Sequence, residues 1–269
     1  MPLARTPGVD RPERPLPARY AVSAPSKPRA DGGSPETHGS QVEIGSQLRR
    51  LYALCHVTHG HQDWWPGDTP FEVCIGAILT QNTAWTNVVK AIENLKTQDL
   101  LTPAGIHHAH LEVLAQAIRP SGCFNLKAKR VKGFVAVLME DFDGDLQAML
   151  SGPVPLARKR LLDIKGIGPE TADCMLLYAG DRPSFVVDAY TRRIFSRHGW
   201  CRDAAPYEAL QTVCADNLKV EPLGRLVDYW QDYHAQLVVL GKEYCRRTNP
   251  RCDQCPIREL LPHHPPPLK

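Results

Sequence analysis

The sequence predicts an all-α protein built around a helix–hairpin–helix unit. Apolar residues recur at helical spacing from Val42 to Leu240, and no stretch of useful length alternates with the period of two that a strand requires. The third observation is the run Leu161-Leu162-Asp163-Ile164-Lys165-Gly166-Ile167-Gly168-Pro169-Glu170-Thr171-Ala172-Asp173, where two glycines and a proline separate two apolar helical segments.

At 269 residues, 43% of them hydrophobic, the chain can bury a full core. Its net charge of +3 is small, so affinity for a polyanion must come from local clustering. No apolar run approaches membrane-spanning length, and the N-terminus lacks the apolar core of a signal peptide. The expectation is a cytoplasmic protein that does not engage a membrane. Nine cysteines, an odd number with six scattered through apolar helical patterns, argue for reduced thiols rather than a disulfide framework.

Residues 1–40 are rich in Pro, Arg, Gly and Ser without apolar periodicity, and read as a disordered tail whose arginines are diluted by Asp10, Glu13, Asp31 and Glu36. Ile44, Leu48, Leu51, Tyr52 and Leu54 then mark a helix from Val42 to His56. His56, His59 and His61 lack the partners of a known metal motif, so the reading there is a polar loop. Two adjacent tryptophans, Trp64 and Trp65, cannot both face one core from a helix, and at least one is expected to line a cavity beside Pro66.

The segment Pro70 to Thr80 is apolar nearly all round, which predicts a deeply buried helix ending at Gln81, with Trp85 four residues on. Further helices are expected at Asn87 to Leu95, Leu111 to Ile118 and Ala128 to Leu138. Lys127, Lys129, Arg130 and Lys132 crowd the start of the last of these. Cations there oppose the helix dipole, so either they form a solvated face or an anion such as a DNA phosphate lies nearby.

In the central run, Leu161, Leu162 and Ile164 close one helix, Gly166-Ile167-Gly168 makes the hairpin, and Pro169 opens the next, which runs to Gly180. Glycines there let the backbone approach a ligand, and the N–H groups of the second helix's first turn suit a phosphate. Asp188 follows Phe185-Val186-Val187 and N-caps a helix from Ala189 to Arg197; an N-cap carboxylate is held ionised by the helix dipole. Two more helices, Tyr207 to Val220 and Arg225 to Leu240, complete the chain before Cys245, Cys252 and Cys255.

These residues resemble the endonuclease III superfamily of DNA glycosylases, the helix-hairpin-helix, Gly/Pro-rich, Asp group. The family motif LxxIxGIGxxTA is matched by Leu161 to Ala172, its catalytic Asp by Asp188, and the resemblance covers about residues 45 to 260. It implies two helical subdomains, 41–65 with 183–269 and 66–182, the latter of six helices with the helix-hairpin-helix at 156–180, flanking a cleft. It also implies a monomer that binds double-stranded DNA at the nucleoid. Gln81 matches the residue that enters the gap left by a flipped nucleotide, with Lys127, Lys129, Arg130, Lys165, Gly166 and Gly168 on the DNA.

Cys245-x6-Cys252-x2-Cys255 resembles the superfamily's iron–sulfur loop, here 245–261, whose four thiolates hold a [4Fe-4S] cluster. The fourth Cys position is Leu261, so His263, His264, another thiolate or an exogenous ligand would have to complete the cluster; zinc and an emptied site are the alternatives.

The lyase branch of the superfamily carries a Lys where this chain has Glu170, and a carboxylate cannot form an imine. Trp64, Trp65, Pro66, Trp85 and Glu170, with Arg119-Pro120-Ser121-Gly122 and Asn125-x-Lys127-Ala128-Lys129-Arg130, resemble the 3-methyladenine DNA glycosylases. Aromatic faces beside a carboxylate favour cationic rings, which N-alkylated purines are. The expected activity is a base-excision-repair glycosylase, monofunctional and directed at alkylated bases flipped from the duplex. Asp188 would stabilise the oxocarbenium-like sugar. The rivals are a bifunctional endonuclease III acting on oxidised pyrimidines and a lesion-binding module without catalysis.

Overall fold

The computed structural model of the protein describes residues 41–64, 67–202, 204–220 and 222–262. The expected tail, Trp65, Pro66, His263 and His264 lie outside them. The described residues form twelve α-helices with short 3-10 turns and no strand, which is the predicted all-α class. None of these helices is long and apolar enough to cross a membrane.

Helix α1 (Gln41–His59) runs three residues beyond the expected His56, so His56 and His59 sit on its last turn rather than in a loop. There His59 Nδ1 lies 3.1 Å from Gln236 Oε1, and the His61 ring, just past the helix, pairs with Asp63 at 3.0 Å. Helix α2 (Pro70–Leu79) is the buried axis: Thr69 Oγ1 accepts from Glu72 N, Pro70 occupies the first turn, and every residue from Phe71 to Leu79 is buried. Helices α3 (Trp85–Thr97), α4 (Pro103–His108), α5 (Leu111–Ala117), α6 (Phe124–Phe142) and α7 (Leu146–Leu150) wrap around it.

The span 66–182 therefore holds eight helices with α8 (Val154–Leu162) and α9 (Pro169–Cys174), not the six expected. The extra pair, α4 and α7, are six and five residues long, too short to show a period. Each is fixed by its cap: Thr102 Oγ1 accepts from Gly105 N, and Asp145 Oδ1 from Ala148 N. Helix α6 starts at Phe124, earlier than Ala128, behind Gly122 and Cys123 in left-handed conformations (φ 69 and 45).

Helix α9 passes directly into a π-helical turn, Met175–Ala179, closed by Gly180 N donating to Met175 O. After an extended connection come α10 (Ala189–Arg197), α11 (Tyr207–Asn217) and α12 (Leu223–Glu243); α11 and α12 pack on α1, and α10 packs on α12. Helix α12 also meets the π turn, where Gln231 Nε2 donates to Leu177 O.

The two motif helices are clamped by a buried charge pair. Arg158 of α8 donates from Nε and Nη2 to both oxygens of Asp173 on α9, at 2.8 and 3.0 Å, and the Ser184 hydroxyl donates to the same carboxylate. The Asp173 side chain is fully buried. Asp173→Ala strands a partly buried guanidinium and is expected to destabilise the fold by about 3 kcal/mol. A urea titration checks it: an unchanged midpoint would mean the clamp contributes nothing.

Candidate active site

The hairpin, the start of α6 and the end of α2 meet at one place. Gly166 has φ 96, and a Cβ there would lie 2.5 Å from Arg130 Cγ, so only glycine fits. Gln81, just past α2, donates from Nε2 to Gly166 O at 3.1 Å and to Thr171 Oγ1 at 3.0 Å, and its Oε1 accepts from Arg130 Nη1. Gly168 precedes α9 in extended conformation with open space where a Cβ would point. Lys129 and Lys165 are exposed on α6 and the hairpin. Of the residues expected on the DNA side, Gln81, Arg130 and Gly166 are in contact, Lys165 and Gly168 belong to the same hairpin, and Lys129 is exposed near the start of α6.

Lys127 is not. It is 2% exposed, and its ammonium donates to Leu79 O at 2.8 Å and Ser121 O at 2.6 Å. It closes the C-terminal end of α2 from inside, which corrects the expected phosphate contact. The Lys127 charge near the start of α6 is offset by those carbonyls rather than by DNA.

Asp188 N-caps α10. Its Oδ1 accepts from Thr191 N at 2.7 Å and from the Thr191 hydroxyl at 2.8 Å, and the residue is 9% exposed. Its Oδ2 lies 3.6 Å from His234 Nε2 of α12. Burial alone would raise the Asp188 pKa, but His234 and the two Thr191 donors outweigh it and hold the carboxyl below the ordinary carboxylate value. At 3.6 Å the contact acts through charge and lies beyond hydrogen-bond reach. On the other edge of the ring, His234 Nδ1 is 2.7 Å from the Tyr178 hydroxyl, itself 3.1 Å from Gln231 O.

Trp64 closes this group, with its ring centroid 5.6 Å from Tyr178 and 5.7 Å from His234. Glu170, on the first turn of α9, is exposed at the surface of the residue, yet surrounding protein and then the Asp188 charge push its pKa up. Trp85 is partly buried and lies over Gly76 of α2, where a Cβ would come within 3.3 Å of Cη2. Its contacts are with the core, and no contact ties it to Asp188. His234, Tyr178 and Thr191 were not singled out from the sequence. The usable signal was His234 itself, a polar residue between Trp230 and Leu237 on the buried face of α12.

The site so described sits in a chain whose residues 75–219, more than half its length, match the family of HhH-GPD superfamily base excision DNA repair proteins. The chain belongs to that superfamily. As an HhH-GPD protein it is a DNA glycosylase, a hydrolase of the N-glycosidic bond. A Methanocaldococcus jannaschii protein bearing the provisional name DNA repair glycosylase MJ1434 is 43% identical over 214 residues, which are 79% of this chain and 94% of that one. Endonuclease III of Thermotoga maritima is 30% identical over 188 residues, 69% of this chain and 79% of that one. Among solved structures, H. pylori 3-methyladenine DNA glycosylase (MagIII) bound to 1,N6-ethenoadenine superposes with a TM-score of 0.62 at 29% identity, covering 74% of this chain and 97% of that chain. A non-covalent endonuclease III–DNA complex gives a TM-score of 0.67 at 23% identity over 81% of this chain and 94% of that chain, a likeness of fold.

In this HhH-GPD glycosylase, Cys245, Cys252 and Cys255 line a cavity of about 220 Å³ together with Arg197, His198, Tyr244 and Leu261. All three are free thiols. Burial first, then the neighbouring Cys245 and Cys252, push the Cys255 pKa up to about 11 against a bond from the Ile257 backbone. Helix α10 grips this loop: Arg193 Nε donates to Cys245 O at 2.7 Å, and Arg197 Nη1 to Arg246 O at 2.7 Å and Cys245 Sγ at 3.3 Å. The helix that presents Asp188 at its start therefore anchors the Cys-rich loop at its end.

Proposed function

We propose that this glycosylase is monofunctional and removes N-alkylated, cationic purines of the 3-methyladenine kind from double-stranded DNA, with Asp188 as the catalytic residue. The observation that carries the reading is the pairing of an ionised Asp188 with Glu170, a second carboxylate, at the helix position where a lyase of the family holds an amine. Trp64 beside His234 and Tyr178 supplies an aromatic wall for the extruded base.

In this reading the C1′–N bond breaks with its electron pair leaving on the base, so a cationic purine departs neutral. Asp188 faces the positive charge that builds on the sugar, water oxygen bonds C1′, and the water's proton passes to solvent. Gln81 leaves its hairpin bonds to fill the gap in the duplex, while Arg130, Lys129, Lys165, Gly166 and Gly168 hold the backbone. The cleft would separate the subdomains 41–65 with 183–269 and 66–182, and the protein would act as a monomer.

The Cys-rich loop is read as a [4Fe-4S] site. Its thiols are soft donors suited to iron, and they surround a cavity. Among the described residues no three His, Cys, Asp or Glu groups are placed to hold one metal ion. When bound, the cluster would tie Arg246 and Arg247 to α10, with Arg251 N on Tyr244 O, and so hold a basic surface toward DNA.

The test is base release from randomly methylated duplex DNA with the products identified, alongside borohydride treatment with a duplex carrying an abasic site. Methylated purines are expected in the supernatant, with no covalent protein–DNA adduct. An adduct together with release of oxidised pyrimidines would replace this reading by the bifunctional one, and binding without release of any base would leave a lesion-binding module.

A further inference from the structure

The cavity at the Cys-rich loop is lined by one imidazole as well as three thiols. His198, at the C-cap of α10, stands there with Cys245, Cys252, Cys255 and Leu261. Its Nδ1 lies 3.1 Å from Leu260 O. A carbonyl oxygen only accepts, so Nδ1 carries the ring proton and the lone pair of the neutral ring is on Nε2. Metal-bound imidazoles are built this way, with the second nitrogen donating to a carbonyl that fixes tautomer and orientation.

The anchoring carbonyl also has a telling position. Leu260 immediately precedes Leu261, where a fourth thiolate would stand, so the ring is fastened to the very segment that lacks its sulfur. The ring is stacked on Trp200 with centroids 4.6 Å apart, and the residue is 7% exposed, so its placement is set from two sides. The other nitrogen-bearing side chains of the lining are Arg197 and Arg258, and a guanidinium has no lone pair to offer.

We infer that His198 supplies, through Nε2, the fourth ligand of the cluster held by Cys245, Cys252 and Cys255. The resulting Cys3His set compensates for Leu261, and it rests on the cluster reading above. Imidazole is an accepted iron ligand in clusters otherwise held by thiolates.

The experiment uses the full chain labelled with 15N-histidine and reconstituted anaerobically with iron and sulfide. After dithionite reduction, pulsed EPR of the wild type is expected to show a strongly coupled 15N nucleus with about four irons per chain. Leu261→Cys offers a thiolate in place of the imidazole, and is expected to keep the irons and lose the nitrogen coupling. His198→Ala leaves one iron without a protein ligand. On ferricyanide treatment its cluster is expected to convert at least about tenfold faster than wild type, [4Fe-4S]2+ giving [3Fe-4S]+ and Fe2+ with one electron passed to ferricyanide. The inference is overturned by iron-loaded wild type without coupled nitrogen, by coupling that survives His198→Ala, or by coupling lost only when His263 and His264 are both replaced by Ala. Failure of the wild type to take up iron and sulfide at all would instead remove the cluster reading, and this ligand with it.

Discussion

Asp188→Asn is expected to reduce base release by about 10²- to 10⁴-fold while DNA affinity and folding stay close to wild type. The substitution separates two jobs that one side chain performs. As an N-cap, Asn accepts from Thr191 N about as well as Asp does, so α10 keeps its start and the arginine grip on the Cys-rich loop at its other end. As a charge, it is gone, and Glu170, the carboxyl coupled to it, has its own pKa pushed up. Alanine would confound the two effects by removing the cap as well.

The same geometry fixes a pH dependence. With its folded-state pKa held below the ordinary carboxylate value, Asp188 stays ionised as acid is added, and the acid limb of base release is expected below that value. The sign for stability follows. A depressed carboxylate favours the folded state above its unfolded pKa, and that contribution is lost as pH falls through the folded pKa. His234→Ala removes the main lowering partner, so it should move the acid limb upward, toward the ordinary value. A limb unmoved by His234→Ala would show that Thr191 alone holds the charge.

Much of this architecture was legible because it is written locally. Helix α2 is apolar nearly all round and is buried on every side; Gly166, Gly168 and Pro169 fix the hairpin within four residues; Asp188 caps the helix it precedes. What escaped depends on partners far along the chain. Lys127 looks like a phosphate contact from its neighbours, and only the fold brings the Leu79 and Ser121 carbonyls to its ammonium. Tyr178 reaches His234 from a π turn, a feature that residue spacing does not announce, and His234 meets Asp188 across 46 positions of sequence (234 minus 188). The short helices α4 and α7 were invisible because one turn of apolar residues has no period to read.

Glu170→Lys is the converse experiment, and it is expected to create a reaction the wild type lacks. The residue lies on the first turn of α9, one position before Thr171, which binds Gln81, and within electrostatic reach of Asp188. In the proposed reading an amine there lies beside the hairpin that holds the DNA backbone and within electrostatic reach of Asp188, close to the sugar of a flipped nucleotide. Two effects act on its protonation: desolvation by the surrounding protein favours the neutral amine, and the Asp188 charge favours ammonium. The neutral fraction attacks C1′ of the ring-opened abasic sugar, water leaves, and hydride from borohydride reduces the imine to a stable amine. The expected result is a protein–DNA adduct on a denaturing gel from Glu170→Lys with abasic duplex, and none from wild type or Glu170→Gln. Base release should fall roughly tenfold at the same time, about 1.4 kcal/mol, because a cationic purine then meets a cation instead of a carboxylate. An adduct from wild type would point to another amine, Lys165 being the exposed one on the hairpin. No adduct from Glu170→Lys would mean that this turn of α9 does not face the sugar, and the residue at position 170 would then no longer decide between water and an amine as nucleophile.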